Sequence, residues 1–228
     1  MTASGAVAGF LALEAATSGH IRRALLWLVV CQVLDAVDGP IARKLDVTLS
    51  APEFDGHILD LVVDYVTCVV VPAVLLINLR LTPHHLGIAL VAAILMPSAL
   101  WFARVDQETE DGWFRGFPGM WNIVIPTFIV LHTGPLFVTI VCIAGCLLQL
   151  SNIEIPHLIR AREMRKVTLA LLGVYFAAFV TLSTTYPSGN QLLRLVVLVL
   201  PLYLAVLAVW RHRYPDLEIR GQRIKRAD

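Results

Sequence analysis

The sequence carries few charged residues for its length. Only 15% of its 228 residues are Asp, Glu, Lys or Arg, whereas 57% are hydrophobic. A soluble domain of this size could not cover so much apolar side chain with its own surface, so the composition excludes a soluble globular protein. The net charge of +1 also lacks the basic excess typical of nucleic-acid binding. We therefore predict an integral membrane protein that binds no nucleic acid.

Cysteine is also scarce, and its spacing indicates no site. The chain has four cysteines, all inside apolar runs, with no CxxC pair and no nearby His at zinc-ligand spacing: Cys31, Cys68, Cys142 and Cys146. This pattern argues against a zinc site and against a disulfide scaffold. We expect four free thiols that pack in the membrane core.

Apolar runs divide the chain into eight candidate membrane spans. A spanning helix needs about 20 apolar residues, and shorter runs are tilted, broken or paired with a neighbour. The first run lacks the basic start and the A-x-A-like exit of a cleavable signal peptide, so we expect it to be a retained span. The predicted spans are residues 4–17, 24–44, 56–79, 85–105, 119–132, 134–150, 167–185 and 190–210. They predict an all-α polytopic membrane protein with one domain over residues 1–228.

The basic residues are distributed unevenly between the two sides of this arrangement. Fourteen of the 18 Lys and Arg residues fall on the side that holds the longer connections and the basic tail from Arg211 onward. Cytoplasmic loops carry such an excess in membrane proteins. We therefore expect these connections and both termini to face the cytoplasm, in a bacterial inner membrane.

Four aspartates stand where a membrane helix should carry no charge. Asp35 and Asp38 lie at the cytoplasmic end of the second span, and Asp60 and Asp64 lie near the start of the third. Their spacings of three and four residues place each pair on one helix face. Four like charges in an apolar region would be prohibitive without cations between them. An all-oxygen site favours a hard divalent cation, Mg²⁺ or Mn²⁺, with Ca²⁺ as an alternative.

The residues around the acids add to this interpretation. Gly39 and Gly56 leave room for a ligand to approach the backbone, and Pro40 removes one helical amide donor. Arg43 stands about one turn beyond Asp38, where it can bind a phosphate. Together these features predict a site for a nucleotide diphosphate with bound metal.

Two alternative roles for the acids compete with a metal site. A single acid in a membrane helix could form a structural ion pair with a neighbouring Arg. A proton or divalent-cation transporter would also use intramembrane carboxylates, but it would not need the glycines and Arg43 at their fixed spacings.

The pattern of these residues resembles the signature of the CDP-alcohol phosphotransferases. It reads D-x2-D-G-x2-A-R-x12-G-x3-D-x3-D and comprises eight positions: Asp35, Asp38, Gly39, Ala42, Arg43, Gly56, Asp60 and Asp64. Most members of that family have eight residues between the Arg and the second Gly, whereas this chain has twelve. The longer spacer, the eight spans and the segments TASGAVAG and FRGFPGMWN resemble the bacterial branch that joins CDP-diacylglycerol to free choline.

The resemblance implies an enzyme that makes phosphatidylcholine and releases CMP. Asp35, Asp38 and Asp60 would hold two divalent ions, Mn²⁺ or Mg²⁺, and Asp64 would complete the metal site and serve as the general base. CDP-diacylglycerol would be bound by residues near the acids and in a second basic group: Gly39, Ala42, Arg43, Gly56, Arg160 and Arg162. The alternative for Arg160 and Arg162 is attraction to anionic membrane lipids. The resemblance also favours a homodimer.

Choline makes a separate demand on the protein. A quaternary ammonium has no N–H to donate, so its recognition needs aromatic faces, carboxylates or both. The cytoplasmic segment 106–122 is the richest source of these, although an interfacial aromatic belt with solvated acids would look the same. The candidate choline-binding residues are Trp113, Phe117, Trp121, Glu108 and Asp111. Serine, inositol or glycerol phosphate remain alternative acceptors.

Overall fold

A computed structural model describes residues 2–44, 53–83, 85–159, 161 and 164–214, excluding the side chains of residues 40 and 42–44. This part of the chain forms eight helices and two short strands. The helices are α1 (Thr2–Thr17), α2 (Ile21–Lys44), α3 (Gly56–Asn78), α4 (Gly87–Phe102), α5 (Trp121–Leu131), α6 (Pro135–Gln149), α7 (Arg165–Thr185) and α8 (Gln191–Arg213). The strands are β1 (Trp113–Arg115) and β2 (Glu154–Pro156). The eight predicted spans correspond to these eight helices, and each observed end lies within three residues of the predicted one.

The helices begin and end at residues suited to those positions. The Asp55 side chain caps α3 by accepting hydrogen bonds from the amides of His57 and Ile58. Asn190 caps α8 by accepting from the amide of Leu192. Pro135 opens α6, where its missing N–H leaves no helical bond unmade. The chain turns from α1 to α2 at Gly19, which has a φ of +76°.

Three of the described helices are long and apolar enough to cross a membrane: α3, α7 and α8. The α4, α5 and α6 helices are apolar but shorter. Several helices direct large apolar side chains away from the bundle, as expected where the surroundings are lipid rather than water. On α8 these include Leu192, Leu202, Val206 and Val209, which are 63% to 69% exposed.

Helix α3 lies at the centre of the bundle, with α1, α4 and α5 packed against it. The α1 helix can approach closely because its buried face consists only of Gly and Ala. A Cβ added to Gly5 would lie 3.0 Å from Val63 Cγ1, and one added to Gly9 would lie 3.0 Å from Thr67 Cγ2. Helix α2 packs against α1 and against α7. The α1 helix therefore positions α2 and α3, which carry the four aspartates.

The two strands are a feature that the sequence analysis did not predict. They pair antiparallel, with Trp113 opposite Pro156 and Arg115 opposite Glu154. The connection between α4 and α5 thus pairs with the connection between α6 and α7. Strands of three residues are too short to show the alternating pattern by which a strand is recognised.

Gly145 in α6 gives a test of this packing. A Cβ at Gly145 would lie 2.7 Å from Cη2 of Trp121, a rigid ring that is fully buried. We expect Gly145→Ala to lower the free energy of unfolding by about 1–3 kcal/mol, because an overpacked core must shift to admit the methyl group. Thermal unfolding of the purified protein in detergent measures the change.

Gly173→Ala is the matched control, since Gly173 also lies inside a helix but has open space where its Cβ would be. We expect Gly173→Ala to leave the stability unchanged or to raise it by up to about 1 kcal/mol. Equal effects of the two substitutions would contradict the close contact between α6 and Trp121.

Candidate active site

The structure brings three of the four aspartates together. One carboxylate oxygen from each of Asp35, Asp60 and Asp64 lies within 4.8 Å of the other two. Asp38 lines the same cleft and is only 8% exposed. The four side chains come from two helices that α1 holds in place, so the cluster depends on the tertiary packing.

The cleft is lined by one face of each acidic helix. On α3 the lining positions are residues 60, 63, 64 and 67, which have the spacing of a single helix face. The sequence analysis overlooked Thr67, although it stands three residues beyond Asp64 and is 4% exposed. Thr2 and Gly5, which belong to the segment TASGAVAG at the start of α1, also line this cleft.

Helix α3 changes its winding directly after the acids. Residues Tyr65–Val70 form a π-helical turn that begins next to Asp64. Such turns insert one extra residue per turn and are frequent at functional sites. Thr67 lies within this turn and lines the cleft. The change of winding therefore lies beside the carboxylates.

The donor set fits a hard divalent cation. Three carboxylates could each contribute one oxygen to the same metal ion. Carboxylate oxygens are the ligands that Mg²⁺ and Mn²⁺ prefer. Among the described residues, no His or Cys takes part in this group of ligands. A cation would also offset the repulsion between carboxylates held this close together.

The predicted donor-binding residues fall partly within the described residues. Gly56 is the first residue of α3, and a Cβ there would meet nothing within 4 Å. Gly39 lies in α2 next to Asp38 and is half-buried. The side chains of Ala42 and Arg43, and all of Arg160 and Arg162, lie outside the described residues. The predicted roles of these six residues stay predictions.

Each of the five candidate choline-binding residues contacts another part of the chain. Trp121 is fully buried in the bundle, where its Nε1 donates to Ser98 Oγ at 3.1 Å. Phe117 packs edge-on against it, with ring centroids 5.0 Å apart. Glu108 is half-buried and lies 3.7 Å from Nε2 of His157.

Trp113 and Asp111 contact a cation that belongs to the chain itself. The Arg211 guanidinium lies 4.9 Å from the centre of the Trp113 ring. It donates to Asp111 Oδ2 at 2.6 Å and to Glu154 Oε2 at 2.7 Å. Choline has no N–H groups and could not replace these two hydrogen bonds. Arg211 therefore ties the end of α8 to the two strands, and the sequence analysis had assigned it only to membrane topology.

A second ion-pair group joins the end of β1 to the connection that precedes it. Asp106 contacts Arg104 at 3.0 Å and Arg115 at 2.9 Å. Hydrogen bonding from Arg104, supported by Arg115, lowers the pKa of Asp106 to about 2. Asp106 therefore remains ionised at neutral pH, and its contribution to folding is lost only as the pH falls from about 4 towards 2.

The fold and the cleft together define a helical membrane protein with a carboxylate site suited to a divalent cation. The family model for CDP-alcohol phosphatidyltransferases matches residues 1–153, which include all four aspartates. The chain belongs to this family and is a transferase that acts on a CDP-alcohol.

Several curated proteins are similar to the chain over most of its length. A phosphatidylcholine synthase of Bradyrhizobium diazoefficiens is 38% identical over 174 residues, which are 76% of this chain and 65% of that protein. A phosphatidylcholine synthase of Pseudomonas aeruginosa is 31% identical over 211 residues, or 92% of this chain and 89% of that protein. One of Brucella melitensis is 30% identical over 218 residues, or 95% of this chain and 79% of that protein.

The contact between Arg211 and the strands leads to a stability prediction. We expect Arg211→Met to lower the free energy of unfolding by about 3 kcal/mol, because it leaves two largely buried carboxylates without their cation. Arg213→Met is the control, since Arg213 is exposed in the same last turn of α8. Chemical unfolding in detergent measures both. If both variants are as stable as the wild type, Arg211 does not hold the strands to α8.

Proposed function

We propose that the chain is a phosphatidylcholine synthase, which transfers the phosphatidyl group of CDP-diacylglycerol to choline and releases CMP. The observation that carries this proposal is the cluster of Asp35, Asp60 and Asp64, whose carboxylate oxygens lie within 4.8 Å of one another. The chain belongs to a family of enzymes that act on CDP-alcohols. The acceptor is proposed from the names of the similar proteins and from the twelve-residue spacer between Arg43 and Gly56.

The acids have distinct proposed roles. Asp35, Asp38 and Asp60, with Asp64, would hold two divalent ions, Mn²⁺ or Mg²⁺. Bound ions of this kind neutralise the diphosphate and stabilise the charge on departing CMP. Gly39 and Gly56 would leave room for the cytidine, and Ala42 would belong to the same donor-binding site. Arg43, Arg160 and Arg162 would contact the donor phosphates.

Asp64 would act as the general base. Its carboxylate takes the proton of the choline hydroxyl as that oxygen attacks the phosphorus that bears the lipid. The new bond joins the choline oxygen to phosphorus, and the bond from phosphorus to the CMP oxygen breaks. The proton then leaves Asp64 to solvent. In this scheme no covalent intermediate with the protein is required.

The acceptor contacts are proposed from the cytoplasmic segment 106–122. Glu108 and Phe117 are half-buried and could contact choline with small movements of their side chains. Asp111, Trp113 and Trp121 are the other proposed choline-binding residues, and they are 7%, 1% and 0% exposed. We place the enzyme in a bacterial inner membrane with this segment facing the cytoplasm, and we propose that it forms a homodimer.

Two other functions are alternatives to a phosphatidylcholine synthase, and each would have different experimental consequences. A sister enzyme would use serine, inositol or glycerol phosphate as the acceptor, and a phosphorylated alcohol would need a further basic pocket beyond Arg43. A divalent-cation transporter would move metal without making lipid.

One assay separates these functions. Purified protein with radiolabelled choline, CDP-diacylglycerol and Mn²⁺ should give labelled phosphatidylcholine and an equal amount of CMP, and EDTA should stop the reaction. Label gained from serine or inositol but not from choline would reject the proposed acceptor. Metal flux into vesicles without any lipid product would reject the enzyme.

Asp64→Asn tests the proposed base. We expect turnover to fall by about 100-fold or more, because an amide cannot accept the choline proton. The variant should still fold and bind CDP-diacylglycerol, as measured by ligand-dependent thermal stabilisation.

Asp55→Asn is the matched control on the same helix. Asp55 caps α3 outside the cluster, and Asn caps a helix equally well. We expect Asp55→Asn to keep wild-type turnover. Wild-type turnover in Asp64→Asn would remove Asp64 as base and as essential ligand.

A further inference from the structure

Helix α2 loses much of its apolar packing in the half that carries the first carboxylates. Its first half is anchored by residues such as Leu25 and Leu28, which are fully buried. In the second half, Val33 is 44% exposed, Val37 is 39% exposed and Asp35 is exposed. Apolar burial therefore does little to hold this half of α2 in place.

Gln32 provides a hydrogen bond at this point. Its Nε2 donates to the carbonyl oxygen of Asn122 in α5 at 3.0 Å. Gln32 precedes Asp35 by three residues, so both lie on the same side of α2, about 4.5 Å apart along the helix axis. The bond therefore fixes α2 relative to α5 at the level of Asp35.

Pro126 explains why this carbonyl is available. In an α-helix the carbonyl of one residue accepts from the amide of the residue four positions later. Pro126 stands four residues after Asn122 inside α5, and proline has no amide hydrogen. The side chain of Gln32 thus supplies a hydrogen bond that α5 cannot make for itself, and the link breaks no helical bond.

The side chain of Asn122 does not take part in this link. Its Oδ1 is buried and has no hydrogen-bond partner among the described residues. The acceptor is a backbone atom, so the position of the bond is set by the path of α5 rather than by the residue type at 122.

We propose that Gln32 is a positioning residue for the carboxylate of Asp35, acting through the carbonyl that Pro126 leaves open. The inference rests on the proposed function, since it takes the aspartates to be the ligands of a divalent cation. Gln32 is not among the residues that line the cleft; it sets where α2 presents Asp35 to Asp60 and Asp64. Without the bond, the half of α2 that carries Asp35 would adopt the ligand geometry less often, and the cation would bind more weakly.

Gln32→Met is the direct test, because Met has nearly the length and volume of Gln but no N–H group. Mn²⁺ binding to purified protein in detergent is followed from the EPR signal of free Mn²⁺, without substrate or turnover. We expect the midpoint of the titration to rise by up to about tenfold, the factor that corresponds to the loss of one hydrogen bond. Pro126→Ala should raise the midpoint in the same direction, because a new amide at 126 would compete with Gln32 for the carbonyl of Asn122.

Asn78→Leu is the matched control. Asn78 Nδ2 donates to the carbonyl of Ala16 at 3.4 Å, which is also an amide-to-carbonyl link between helices but lies at the end of α3 away from the acids. We expect its Mn²⁺ midpoint to equal that of the wild type. A wild-type midpoint in Gln32→Met, or an equal rise in Asn78→Leu, would overturn the positioning role. Absence of saturable Mn²⁺ binding in the wild type would instead overturn the proposed metal site itself.

Discussion

Mutual repulsion of carboxylates in an apolar bundle is the constraint on which this structure depends. A charged side chain near the centre of a membrane helix costs about 2.5–3.5 kcal/mol even on lenient scales. Here three carboxylates approach within 4.8 Å of one another, and a fourth, on Asp38, is 8% exposed. The arrangement is reasonable only where cations lie between them. The same need for cations fits the chemistry of a diphosphate donor.

The packing of the other helices sets the positions of α2 and α3, which carry those carboxylates. Helix α1 presents a face of Gly and Ala, so its backbone approaches α3 near Val63 and Thr67, next to the acids. Helix α2 also packs against α1 and bears Asp35 and Asp38. Small residues thus place two charged helix faces opposite each other, as the close packing of membrane helices permits. The π-helical turn after Asp64 lies within the same contact region.

Near the two strands, acidic side chains pair with cations of the chain itself. Arg211 bonds to Asp111 and Glu154 and covers the face of Trp113. An arginine suits this position, because its planar group can stack on the ring while donating to two carboxylates. Aromatic and acidic residues in one segment therefore do not by themselves indicate a ligand. Here the cation that they recognise lies 98 residues after Trp113 in the same chain.

The sequence by itself determined the helices, their approximate ends and the pairing of the acids on two helix faces, because apolar runs and three- or four-residue spacings are local properties. It did not reveal the two strands, since three residues are too few for a period to appear. Only the tertiary structure decided that Trp113 faces Arg211, that Trp121 is buried against Gly145, and that Gln32 meets the carbonyl of Asn122. Each of these contacts joins residues far apart in the chain, and the direction in which a side chain points across a bundle depends on how the helices pack, which no local pattern records.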